Sequence, residues 1–177
     1  DIVTWMLSGS LVHADSDGNR GVIHRGEVQR MSAGSGIVHT ERNDAYRISV
    51  ESAPSPAHFV QMWLRSDKPA APPSYEQRGL DLDDLAGGWV PVASGRNGGG
   101  LISIGSAGSA MWVTQLAPGI ARMLPEDDHL HVYVGAGSVQ LESVGELETG
   151  DSVRISGRAP LKISGSSTAE ILAWTMT

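Results

Sequence analysis

Short apolar runs closed by glycine- or aspartate-rich turns recur along this chain, and no amphipathic segment longer than about three turns separates them. That rhythm restricts the fold more than any other feature, because strands at short spacing without intervening helices build an all-β barrel or sandwich. Residues 2–7 form the first run and end at Ser8-Gly9-Ser10; residues 11–14 form the second and end at Asp15-Ser16-Asp17-Gly18-Asn19, a hairpin signal. Residues 21–23, 28–31 and 37–41 continue the pattern, and residues 59–64 read as a buried strand. The segment Pro69-Ala70-Ala71-Pro72-Pro73-Ser74-Tyr75 reads as a linker, because proline removes ladder donors and stiffens the backbone. It sets an expected boundary between an N-terminal domain, residues 1–72, and a C-terminal domain, residues 73–177. Residues 80–85 read as one short helical turn, and Gly98-Gly99-Gly100 as a loop. Strands then resume at 101–104, 111–116, 129–134, 138–141, 152–155, 161–163 and 170–174. A glycine turn before a strand occurs at Gly26-Glu27-Val28 and again at Gly150-Asp151-Ser152-Val153, which suggests two related β domains.

Charge and cysteine content narrow the function. Thirteen Lys+Arg against 20 Asp+Glu give a net charge of −7, the wrong sign for a broad phosphate-binding surface, so direct nucleic-acid binding is not expected. The absence of cysteine excludes disulfides, thiolate zinc sites, iron–sulfur clusters and a cysteine nucleophile. No apolar run approaches the roughly 18 residues of a membrane span, and no signal peptide is visible; the expected location is the cytoplasm. The chain enters an apolar run directly from Asp1, and the expectation is that residues precede it.

Six histidines are the candidate chemistry. Residues i and i+2 of a strand share a face, so His39 and Glu41 project together, as do His129 and His131. An imidazole and a carboxylate on one wall suit a divalent transition metal, although a site needs three or four donors. On a solvated face the same pair does nothing. His13 and His24 read as surface or turn residues, and His58 as a structural histidine before a buried strand. Asp127 and Asp128 form an acidic cluster that either tunes His129 or keeps a loop soluble. Trp5, Trp63, Trp112 and Trp174 read as core or interface packing, and Trp89 as a cover over a groove. No phosphate loop, dinucleotide fingerprint or Gly-x-Ser-x-Gly elbow is present.

The stretch Gly21-Val22-Ile23-His24-Arg25-Gly26-Glu27-Val28-Gln29-Arg30-Met31-Ser32-Ala33-Gly34-Ser35-Gly36-Ile37-Val38-His39-Thr40-Glu41-Arg42-Asn43 resembles the second cupin motif as the pirin family writes it. The segment from Asp1 to Gly9, the hairpin Gly18-Asn19-Arg20-Gly21, Phe59-Val60-Gln61-Met62-Trp63 and Pro72-Pro73-Ser74-Tyr75-Glu76-Gln77 resemble further pirin segments in order. The resemblance is specific up to Gln77 and diffuse beyond it. It implies an all-β bicupin, two β-barrels or jelly rolls facing each other, with one metal in the N-terminal barrel. It implies that His39 and Glu41 are metal ligands, completed in the family by a His-x-His pair. That pair is expected just before Asp1, so the N-terminal barrel is expected to be incomplete and this chain to carry half the ligand set, which leaves two alternatives, a bound metal and a metal-free truncated form. The metal implied is iron first, with copper, nickel or zinc as alternatives. His129 and His131 match a first cupin motif only weakly, and no metal is expected there.

The resemblance carries two functions. One is a dioxygenase of quercetin type that opens a small aromatic flavonol with O₂, in which Glu41 is either a ligand or the catalytic base that deprotonates the flavonol hydroxyl. The other is a non-catalytic metal- or redox-sensing module that binds a protein partner through its surface.

Overall fold

The computed structural model describes residues 1–43, 55–96, 99–158 and 160–177. Its order is β1 (Ile2–Ser8), β2 (Ser10–Asp15), β3 (Arg20–His24), β4 (Glu27–Ser32), β5 (His39–Arg42), β6 (His58–Trp63), β7 (Ser74–Gly79), α1 (Leu82–Gly87), β8 (Val90–Ser94), β9 (Ile102–Ser103), β10 (Ser109–Leu116), β11 (Ala121–Met123), β12 (His129–Ala136), β13 (Ser138–Leu141), β14 (Gly145–Glu148), β15 (Ser152–Ser156), β16 (Lys162–Gly165) and β17 (Ala169–Met176). Its regular structure is nearly all strand, as the turn rhythm predicts. It divides into two compact units, residues 1–80 with 104–106, and residues 81–103 with 107–177. The expected boundary followed Pro72, whereas β7 comes after the proline-rich segment and pairs with β4 from Glu27↔Gly79 to Ser32↔Ser74. Those bonds carry the first compact unit on to Leu80.

The first unit has a four-stranded sheet, β6-β1-β4-β7, and a three-stranded sheet, β3-β2-β5. Met6, Leu11 and Ile23 are buried together, with Ala57 and Phe59 against them, and this apolar cluster ties the two sheets. Residues 2–7 of β1 are buried on both faces, which explains why the sequence there is apolar at every position except Thr4 rather than alternating. β6 is less covered than its sequence suggests: its pattern is half-buried, and Trp63 is 77% exposed rather than packed in a core. His58, at its start, is exposed too.

The hairpin between β2 and β3 forms because Asp15 accepts from the backbone N–H groups of Asp17 (3.1 Å) and Asn19 (2.9 Å). Gly18 follows at φ 90°, a conformation that costs other residues strain.

The second unit has a six-stranded sheet, β15-β12-β17-β10-β8-β9, and a four-stranded sheet, β11-β16-β13-β14. Between them lies an apolar core that includes Leu116, Leu130, Val132, Val139, Leu141, Ile163 and Ile171. The helical turn predicted at residues 80–85 forms slightly later. Asp81 caps it by accepting from Asp83 N–H at 3.1 Å, and Asp83 and Asp84 face the positive end of its dipole. Leu85 anchors it in the core.

Asp127 and Asp128 do not form a free acidic cluster. Arg96 donates to buried Asp127, and Arg158 donates to Asp128 at 2.7 Å. Burial alone would raise the Asp127 carboxyl, but the Arg96 hydrogen bond and the Asp128 N–H outweigh it and hold the group below its ordinary value of 3.8. A depressed folded value stabilises the native state above the unfolded value, and that contribution is lost as pH falls below 3.8 toward the folded value. Asp127→Asn is therefore expected to melt below wild type at pH 6, with the gap closing as pH drops under the ordinary carboxylate range. Thermal melts of both proteins from neutral pH into acid check this, and a gap that is constant with pH would contradict it.

Candidate metal centre

His39 and Glu41 lie on β5 with Thr40 between them, and they share the face that looks into the first unit. Antiparallel pairing with β2 places His13 opposite Glu41 and Asp15 opposite His39. Two histidines and two carboxylates thus stand in a two-by-two grid on one face of the β2–β5 pair. The His13 and His39 ring centroids are 5.8 Å apart.

The facing sheet contributes amides. Register aligns Gln61, Thr4, Gln29 and Gln77 in one row across β6, β1, β4 and β7. Thr4 and Gln29 are fully buried; Thr4 accepts from Gln61, whereas Gln29 Oε1 has no hydrogen-bond partner among the described residues. Gln61 Nε2 donates to Glu41 Oε2 at 2.7 Å and to Thr4 Oγ1 at 3.2 Å. Glu41, 15% exposed, is therefore held on one oxygen.

His13 is the largest departure from the sequence reading. It is not a surface residue: its relative exposure is 0%. Its Nε2 lies 3.3 Å from Asp15 Oδ2, and its Nδ1 lies 3.3 Å from Gln29 Nε2. Glu41 Oε1 is 3.9 Å from the same Nδ1. Tyr75 stacks on the ring at a centroid distance of 4.8 Å. The residue opposite His13 on β3 is Gly21, and that matters: a Cβ there would sit 2.7 Å from Gln77 Oε1 and 3.0 Å from the Tyr75 hydroxyl. A larger residue at position 21 would force the Gln77 and Tyr75 side-chain ends to shift. Tyr75 donates to Gln77 Oε1 at 2.7 Å, and Gln77 Nε2 donates to the Val22 carbonyl at 2.8 Å and to Glu27 at 3.1 Å. Burial, with Glu27, Asp15 and Glu41 nearby, pushes the Tyr75 phenol up, so it stays protonated at neutral pH.

The donor chemistry fits a divalent metal in kind and falls short in number. His39 and Glu41 share a face as two donors should. Among the described residues, no group of three or more His, Asp or Glu has the geometry to hold a metal ion. Both His13 nitrogens are already engaged, on opposite edges of its ring, and Asp15 is turned to the hairpin backbone and to Asn19. The other candidates lie apart from this grid. His24 is exposed at the end of β3. His129 is exposed and His131 half-buried on β12, where burial and Arg154 lower the His131 pKa.

Comparison with known proteins accords with this architecture. The pirin family profile matches residues 1–64. A Mycobacterium tuberculosis protein named "Putative quercetin 2,3-dioxygenase" is 40% identical over 177 residues, covering 99% of this chain and 70% of the relative. The Escherichia coli protein named quercetin 2,3-dioxygenase is 26% identical over 176 residues, covering 99% and 72%. The crystal structure of an Escherichia coli bacterial pirin in complex with nickel(II) superposes with a TM-score of 0.80 at 26% identity, covering 99% of this chain and 71% of that one. The all-β, two-unit architecture is that of a bicupin, and the chain belongs to the pirin family.

Proposed function

We propose that this pirin is a metal-dependent dioxygenase of the quercetin 2,3-dioxygenase type, acting on a flavonol, and that His39 and Glu41 are two of the donors to its divalent metal. The observation that carries the reading is the pairing of an imidazole and a carboxylate on one interior strand face, with the carboxylate fixed by Gln61. The relatives' names supply the substrate class, and the nickel complex of the bacterial pirin supports a metal in this fold. A bound metal would supply Lewis acidity and an open position for an oxygen donor.

The chain's own residues do the rest. Gln61 occupies one Glu41 oxygen and leaves the other free to face a metal or a substrate hydroxyl. A carboxylate so placed can take the proton of an acidic hydroxyl, which is the alternative role for Glu41. Tyr75 and the glutamine row line the space behind the grid.

Oxygen uptake by the metal-loaded natural protein with quercetin tests the proposal. The expected result is oxygen consumption in step with loss of flavonol absorbance. No uptake by a preparation carrying about one metal per chain would reject this activity for that substrate.

A further inference from the structure

His129 and His131 on β12 take no part in the metal centre, and the strand beside them changes what they can bind. Antiparallel pairing with β15 sets Ser156 opposite His129 and Arg154 opposite His131. Directly opposite residues share a face, so two imidazoles, a guanidinium and a hydroxyl stand in a two-by-two grid. That face is turned away from the core of the second unit. Leu130 and Val132, which alternate with the histidines, are buried in that core, and Val153 and Ile155 pack against it. His129, Arg154 and Ser156 are exposed and His131 is half-buried. A cavity of about 190 Å³ opens at the grid, and these four are its polar lining side chains.

Each of those groups can donate a hydrogen bond, and no carboxylate lines the cavity. His129 Nδ1 lies 3.4 Å from Ser156 Oγ. Whichever of the two donates there, one proton of the pair stays free: Nε2–H if the hydroxyl donates, the hydroxyl proton if the ring does. Arg154 forms no ion pair with a described residue. The acids that precede His129 are already taken, Asp127 by Arg96 and Asp128 by Arg158. A His-x-His pair alone suggests a metal, but a fixed positive charge opposite His131 repels a cation. Burial first, and Arg154 second, hold the His131 pKa below its ordinary value of 6.5. The other residues in register with or beside His131 on its face are His129 and Tyr133 on β12 and Trp174 on β17, none of them an anion at neutral pH.

We propose that this face of β12 and β15 is a phosphate-binding site, in which Arg154, His131 and the His129–Ser156 pair hold the oxygens of a phosphate group on a small molecule. Donors from four side chains in two rows match three or four oxygens better than the two of a carboxylate, and a guanidinium can bond phosphate through two parallel N–H groups. The net charge of −7 excludes a broad phosphate surface but not a local one, because salt confines each exposed charge to about 8 Å at physiological ionic strength.

Inorganic phosphate titrated into the natural protein at neutral pH and constant ionic strength tests the site, followed by calorimetry and by histidine side-chain NMR. The expected result is saturable binding with a dissociation constant below about 1 mM, with the pKa values of His129 and His131 both raised because an anion favours the imidazolium. Arg154→Gln is expected to weaken binding at least about tenfold, and His131→Gln to weaken it as well. Arg154 is exposed, so its variant should melt with wild type. His24→Gln, which removes an exposed histidine at the end of β3, is expected to bind phosphate as wild type does. Shifts that grow with phosphate without saturating, or binding that survives Arg154→Gln unchanged, would overturn the proposal. Acetate bound as tightly at the same ionic strength would overturn the phosphate assignment. Nickel(II) binding that is lost in His129→Gln and His131→Gln would make the pair a metal site and overturn it too.

Discussion

Glu41→Gln in the natural protein is expected to lower flavonol-dependent oxygen uptake by at least about 100-fold, a larger loss than replacement of an outer partner produces. The substitution keeps the shape of the side chain and removes its charge. An anionic oxygen is what a hard divalent cation takes from a carboxylate, and what a hydroxyl proton needs as an acceptor. Gln61, which now donates to Glu41 Oε2, can still bond the new amide oxygen, so the fold should survive. Competitive metal titration beside the oxygen assay separates the two roles open to Glu41. Metal lost together with turnover assigns it as a donor, and metal retained with turnover lost assigns it as the base. Wild-type turnover in Glu41→Gln would remove it from the site altogether.

Trp5→Ala is expected to destabilise the protein by about 3–5 kcal/mol, the cost of emptying a fully buried aromatic position. Trp5 has 0% exposure and stands on β1, which both β4 and β6 flank. Alanine leaves a cavity that two hydrogen-bonded neighbours cannot collapse into. In a chain of this size the loss corresponds to roughly 6–20 °C in Tm. Thermal and urea denaturation measure it; a loss under about 1 kcal/mol would show that the position repacks. Trp63 is the internal contrast. It is 77% exposed, so its truncation should change stability by well under 1 kcal/mol, as surface substitutions do.

The strands were legible where two signals agreed. β1, β2, β12 and β13 combine apolar runs with glycine or aspartate turns, and each forms within a residue or two of where the pattern puts it. β7 was not legible, for a physical reason. Its sequence Ser-Tyr-Glu-Gln-Arg-Gly follows a proline-rich segment, and its inward residues, Tyr75 and Gln77, face a polar interior rather than an apolar core. Strand periodicity is read from hydrophobicity, and a strand lining a polar pocket does not show it. The same cause hid Gln29, Gln61 and Thr4, whose alignment is a property of register between strands that no single segment displays.

His39 and Glu41 could be placed on one face from spacing alone, because i and i+2 share a face in any strand. His13 and Asp15 have the same spacing, yet the local sequence reads as a surface residue and a turn. The missing information was the pairing of β2 with β5, which puts the two pairs opposite each other. Gly21, directly across from His13 in a tight hairpin, was the available clue that something bulky closes over that position.

The most direct test of the central claim is an anomalous-scattering map from crystals of the natural protein loaded with nickel or copper. The account predicts one peak at about 2.0–2.2 Å from a ring nitrogen of His39 and from a Glu41 oxygen, with His13 outside bonding distance. A peak elsewhere, for instance at His129 and His131, or no peak in metal-loaded crystals, would contradict it.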